Sequence, residues 1–134
     1  MKRVVGIGGI FFKAADPDKL RAWYREHLGM EPDPYGGVVF DSNASEDPTK
    51  PAQTVWSLFP SDTKYFNPSS AAFMINYRVE DLDKLLQQLR SEGVGVDDRV
   101  EEYEYGRFAW IMDPEGNRIE LWEPGTPSQR KPRQ

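Results

Sequence analysis

The stretch Asp16-Pro17-Asp18-Lys19-Leu20, followed by Arg25, recurs 65 residues later as Asp81-Leu82-Asp83-Lys84-Leu85, followed by Arg90. A chain that repeats itself at this distance builds its core from two copies of one supersecondary unit. Both copies predict a helix start. Asp16 and Asp81 are N-caps whose carboxylates accept from the free amides of the first turn, Pro17 suits the first helical position, and Asp18 and Asp83 favour the positive end of the helix dipole. Apolar stripes follow at helical spacing, Leu20, Trp23, Tyr24 and Leu28 in one copy and Leu82, Leu85, Leu86 and Leu89 in the other, with Gly29 and Gly93 closing them.

Strands flank the helices at matching places. Gly6 to Lys13 precede the first and Ala71 to Val79 the second, with Ile10 and Ile75 again 65 apart, and Thr54 to Pro60 matches Arg118 to Pro124 at an offset of 64. Each of the last two is a short alternating segment stopped by proline. Arg107 to Met112 with the turn Asp113-Pro114-Glu115-Gly116-Asn117 predicts a hairpin into the final strand. The expected class is α+β, with two strand-helix-strand-strand-strand (βαβββ) units over residues 3–60 and 71–124, a linker over 61–70, one domain over 1–124 and a disordered basic tail over 125–134.

At 134 residues, 38% hydrophobic and 13% aromatic, the chain has material for one packed core and is too apolar to stay disordered. It has no cysteine, which excludes disulfides, thiolate metal sites and a thiol nucleophile and suits a cytoplasmic protein. Net charge is -5, and three of the 17 basic residues, Arg130, Lys131 and Arg133, sit in the tail, leaving 14 against 22 acidic residues. Nucleic-acid binding needs the opposite sign. The basic start before an apolar run imitates a signal peptide, but glycines interrupt the run and the repeat needs it as a strand. No stretch approaches the ~20 apolar residues of a membrane span, so neither nucleic acid nor membrane is an expected partner. The single histidine, His27, lies one residue off the stripe of the first helix, where its charged form suits the helix C-terminus. Gly6-x-Gly8-Gly9 lies inside a strand rather than at a strand-to-helix turn, which argues for close packing or room for a ligand instead of a phosphate loop.

Two such units, with Trp23-Tyr24-Arg25-Glu26-His27-Leu28-Gly29-Met30 ending the first helix and the run from Asp113 through Glu123 closing the chain, resemble the vicinal oxygen chelate superfamily. That superfamily contains glyoxalase I, fosfomycin and bleomycin resistance proteins and extradiol dioxygenases. The resemblance implies a cup-shaped, half-barrel mixed sheet. Strand alternation then turns Phe73, Ile75, Tyr77, Val79, Ile119 and Leu121 to the helices, and Met74, Asn76, Arg78, Arg118, Glu120 and Trp122 into the cup. By pseudo-symmetry the first unit adds Ile7, Gly9, Phe11, Thr54, Trp56 and Leu58. Metal-using relatives hold a divalent ion from four cup positions, which fall here on Gly9, Trp56, Met74 and Glu120. Only Glu120 suits a hard or borderline cation, so the resemblance carries no metal site and no cofactor into this chain.

The expected ligand-binding set is Gly9, Phe11, Trp56, Leu58, Met74, Asn76, Arg78, Arg118 and Trp122, an aromatic cup for a small, partly aromatic or amphipathic molecule. Asp41 to Gln53 and Ser61 to Ser70 are candidate lids, and Tyr103, Tyr105, Gly106 and Arg107 a further wall. Glu120 is the one catalytic candidate, a carboxylate suited to general acid-base work; the alternative is a semi-buried ion pair with Arg118 or Arg78. Two classes therefore stay open: a metal-free binding protein like the bleomycin resistance members, and an enzyme (lyase, isomerase or dioxygenase), either cofactorless through Glu120 or metal-dependent through other ligands. A homodimer is expected, because each unit leaves a sheet edge that this superfamily covers by pairing units within or between chains.

Overall fold

Both repeated aspartates cap helices as their spacing predicts. In the computed structural model, which describes residues 3–42 and 52–125, Asp16 accepts from the Lys19 amide at 3.2 Å ahead of α1 (Pro17–Leu28), and Asp81 from the Lys84 amide at 3.1 Å ahead of α2 (Leu82–Ser91). Most of the candidate lid Asp41 to Gln53, and the expected tail beyond Gly125, lie outside the described residues.

The strands are β1 (Val4–Ala14), β2 (Val38–Ser42), β3 (Ala52–Pro60), β4 (Phe73–Val79), β5 (Val96–Tyr103), β6 (Gly106–Met112) and β7 (Arg118–Pro124). They form one seven-stranded sheet in the order β2-β3-β1-β4-β7-β6-β5. β1 runs parallel to β3 and β4 parallel to β7, while β1 and β4 meet antiparallel at the centre, so one chain joins its own two units edge to edge. The second unit is the full βαβββ. Among the described residues the first has one strand fewer. The segment matching β5 carries Pro32 and Pro34, and the Asp33 carboxylate accepts from the amides of Tyr35 and Gly37, so its backbone makes a turn instead of a ladder.

One face of the sheet carries the helices. α2 buries Leu82, Leu85 and Leu86 against Val79, Ala109 and Leu121, with Tyr77 and Ile119 at the margin, as alternation predicts. Phe73, expected beside them, is 44% exposed instead. α1 covers less: Leu20 and Tyr24 pack on Val38, Trp56 and Leu58, whereas Trp23 and Leu28 stay exposed. The other face holds a second core of Phe11, Phe66, Met74, Phe108 and Trp110.

Candidate functional site

The hairpin turn sets the register from which the site grows. Asp113 accepts from the side chain and the amide of Asn117, bonds that hold its carboxyl below the usual carboxylate range, and this pins Met112 opposite Arg118. Two-residue steps then place Trp110 opposite Glu120 and Phe108 opposite Trp122, all on the face away from the helices. Across β4, Asn76 stands beside Glu120.

Asn76, Phe108, Glu120 and Trp122 open onto a cleft of about 510 Å³. One wall is aromatic: Trp122 stacks on Phe108 at 5.9 Å and 4°, and its indole N–H donates to the Tyr105 carbonyl at 2.9 Å. Phe11, Val55 and Val39 form the opposite wall, with Asp33, Pro34, Tyr35 and Gln53 at the remaining side and Gly8, Asn76 and Glu120 completing the lining. No lysine or arginine is among them.

Glu120 is 1% exposed and both of its oxygens are taken. Oε1 accepts from Asn76 Nδ2 at 2.6 Å, and Oε2 accepts from Trp110 Nε1 at 3.0 Å and from the Tyr65 hydroxyl. The alternative reading, an ion pair with Arg118 or Arg78, is not realised. Arg118, itself buried, lies over the Trp110 ring at 5.1 Å and donates to Asp97 at 3.4 Å. The Arg99 amide and then Arg118 hold the Asp97 carboxyl below its ordinary range. Arg78 donates to the carbonyls of Ile7 and Gln53, and burial pushes its guanidinium down. A buried carboxylate here is satisfied by neutral donors, three of them, instead of by a cation.

Of the expected cup residues, Phe11, Asn76, Glu120 and Trp122 line the cleft, and Tyr105 supplies the wall foreseen for its segment. Trp56 and Leu58 do not: they face α1, with Trp56 4.8 Å from the Tyr24 ring. The reason is register. Phe11 pairs with Ser57 and its repeat mate Asn76 with Glu120, so the true offset between β3 and β7 is 63 rather than 64, and a one-residue slip turns a strand over. Val55 therefore reaches the cleft, and Ser57 stands where Glu120 does. A bulge between Ile7 and Gly9 likewise leaves Ile7 opposite Tyr77 on the helix face and brings Gly8 into the lining ahead of Gly9. Met74 is fully buried under Phe66, and neither Arg78 nor Arg118 lines the cleft. Phe108, missed in the sequence, follows from Trp122 once the hairpin register is known.

The four inherited metal positions do not fit a metal. Gly9 and Met74 offer no hard donor, Trp56 is on the other face with Ser57, a neutral hydroxyl, in its place, and Glu120 has both oxygens occupied by donors. Among the described residues no group of three or more His, Asp or Glu side chains could hold an ion. His27 is exposed on α1.

A model of the Glyoxalase/Bleomycin resistance protein/Dioxygenase superfamily matches residues 6–121. A search of curated proteins finds no match. Among solved structures, methylmalonyl-CoA epimerase from Mycobacterium tuberculosis is 25% identical with a TM-score of 0.60, over 93% of this chain and 91% of that one. The Streptomyces coelicolor methylmalonyl-CoA epimerase bound to 2-nitronate-propionyl-CoA superposes with a TM-score of 0.65 at 18% identity, over 90% and 98%. A 2,3-dioxygenase from Pseudomonas sp. KL28 gives 0.58 at 20% identity over 92% of this chain and 42% of its own. At 18% and 20% identity the last two likenesses show the shared fold. No helix among the described residues is long and apolar enough to cross a membrane.

Proposed function

The chain belongs to the Glyoxalase/Bleomycin resistance protein/Dioxygenase superfamily, and from that premise we propose that it binds a small, partly aromatic molecule in the cleft without using a metal. The observation that carries this reading is the lining itself: a cleft of about 510 Å³ walled by Phe11, Tyr105, Phe108 and Trp122, beside inherited metal positions that hold glycine and methionine. Such a volume and such walls suit one drug-sized planar ligand. Titration calorimetry with bicyclic aromatic amines, beginning with tryptamine, should show one site per chain, abolished by Val55→Trp, which fills the cleft. Protein made without added metal should carry less than one equivalent of divalent ion and should not gain melting temperature from zinc, manganese, nickel or iron. No binding by the amines, or one equivalent of metal held through Glu120, would overturn the reading.

A second reading, a cofactorless acid-base enzyme, is favoured by one observation: Glu120 is a buried carboxylate that lines the cleft. An enzyme of this kind, on the pattern of the epimerase relatives, would wash deuterium into the α-carbon of an acyl thioester faster than buffer does. The three neutral donors on Glu120 argue instead for a wall residue, and no exchange is the expected result.

The homodimer is also proposed. Trp23 and Leu28 on α1 and Phe40 on edge strand β2 expose apolar surface that a second copy can cover. Light scattering at tens of micromolar should give twice the 15.4 kDa chain mass; a strict monomer refutes it.

A further inference from the structure

An ionised carboxylate only accepts hydrogen bonds, so the neighbour that touches Glu120 must turn a donor toward it. Asn76 complies by presenting Nδ2 at 2.6 Å, which commits its other atom, Oδ1, to the opposite side. That oxygen is buried and has no hydrogen-bond partner among the described residues. It lies against Gly8, where a Cβ would come within 2.3 Å of it and within 2.8 Å of the Trp122 ring. Gly8, Asn76 and Trp122 all line the cleft. Glycine at this position keeps a side chain from colliding with the amide oxygen and with the Trp122 ring.

We infer that Asn76 selects the ligand by offering its amide oxygen to a hydrogen-bond donor on the bound molecule, and that Glu120 is a positioning residue that keeps the amide in that orientation. This rests on the proposed use of the cleft and narrows it to a ligand class. The molecule is planar and aromatic, to lie along Trp122 and Phe108, and it carries on its ring edge an N–H or O–H turned toward Asn76. It is neutral or cationic, because the charged groups lining the cleft are the carboxylates of Asp33 and Glu120. A buried acceptor left without a donor is costly, so the donor is the selective element.

The same logic makes Glu120→Gln an inverting substitution rather than a simple loss. Trp110 and Tyr65 both donate to one oxygen of Glu120, so the glutamine carbonyl takes that side and its amide NH₂ faces Asn76. Asn76 must then flip, accept through Oδ1, and turn its own NH₂ toward Gly8. The selective acceptor becomes a donor.

The test compares tryptamine with its benzofuran isostere, in which the ring N–H is replaced by oxygen, by titration calorimetry on the full chain. Wild type should bind tryptamine roughly tenfold or more tighter than the isostere, and Glu120→Gln should reverse the order. Asn76→Ala, which removes the acceptor beside Gly8 together with the amide that carries it, should bring the two affinities within about twofold of each other. This variant and the wild-type comparison decide the matter if Glu120→Gln does not melt cooperatively. Equal affinities in wild type, or a folded Glu120→Gln that keeps the tryptamine preference, overturn the inference while leaving the cleft as a binding site. Failure of both probes to bind wild type overturns the cleft reading and this inference with it.

Discussion

Replacing Gly106 by alanine should lower the melting temperature by ~10 °C or more, a loss of about 3–5 kcal/mol. Gly106 sits at φ 135, a conformation that other residues rarely adopt, at the turn between β5 and β6. A Cβ there would lie 2.3 Å from the Glu123 carbonyl oxygen, 2.6 Å from Trp122 Nε1 and 3.0 Å from Pro124 Cα. Two of these are backbone atoms of β7 and cannot rotate away. The clash also strikes the indole N–H that anchors Trp122 to Tyr105, so aromatic ligands should bind less tightly at temperatures where the variant is still folded. Gly116→Ala separates strain from collision: Gly116 has φ 81 and nothing within 4 Å of its Cβ position, so only the left-handed conformation is penalised, at about 1–2 kcal/mol. Thermal melts followed by circular dichroism compare the two. If Gly106→Ala melts no lower than Gly116→Ala, the close approach of β6 to β7 at this glycine is not what the structure implies.

The repeat made most of the fold legible because capping and helical periodicity are local. Asp16 and Asp81, and the stripe Leu82, Leu85 and Leu86, announce themselves without reference to any distant residue. Pairing between strands is not local, and there the reading divided by how tightly a turn held the register. The hairpin turn at Asp113 to Asn117 fixes β6 against β7, so Glu120 and Trp122 were placed on the right face. Nothing comparable ties β3 to the repeat. Aligning the prolines at 60 and 124 put Trp56 and Leu58 in the cup, one residue out of step, whereas their large apolar surfaces belong under α1. The bulge in β1 produced the same kind of error between Gly8 and Gly9. The ion-pair alternative for Glu120 fails for another reason. Two arginines lie within reach along the sequence, but Arg118 is drawn to Trp110 and Asp97 and Arg78 to backbone carbonyls, and the donors that replace them come from β4, β6 and the linker. Tyr65 is the least foreseeable of these, since no periodicity governs a twelve-residue connection between Pro60 and Phe73.

Phe66→Ala should destabilise the protein by ~3–5 kcal/mol in urea unfolding, the range for removing a fully buried aromatic ring. Phe66 is 0% exposed, its ring 5.2 Å from Phe59 and 5.6 Å from the Lys13 ammonium, and it packs with Phe11, Met74 and Trp110. Phe66 thus enters the cup as a wedge, while most of the linker around it stays exposed. Its neighbour Tyr65 stacks on Phe59 at 5.4 Å and reaches Glu120 through its hydroxyl. Tyr65→Phe removes that hydroxyl and leaves the Trp110 bond in place, so it should cost only about 1–2 kcal/mol. The ratio between the two variants measures how much of the linker's hold is apolar packing. A Phe66→Ala protein within ~1 kcal/mol of wild type would mean that the linker is not part of the core. The expected large loss bears on the site as well: Met74, at one inherited metal position, is covered by an apolar wedge, and Glu120, at another, is bound by the residue beside that wedge. Half of the cup is thereby closed by packing, and the half bounded by Gly8, Asn76 and Trp122 is left open for a ligand.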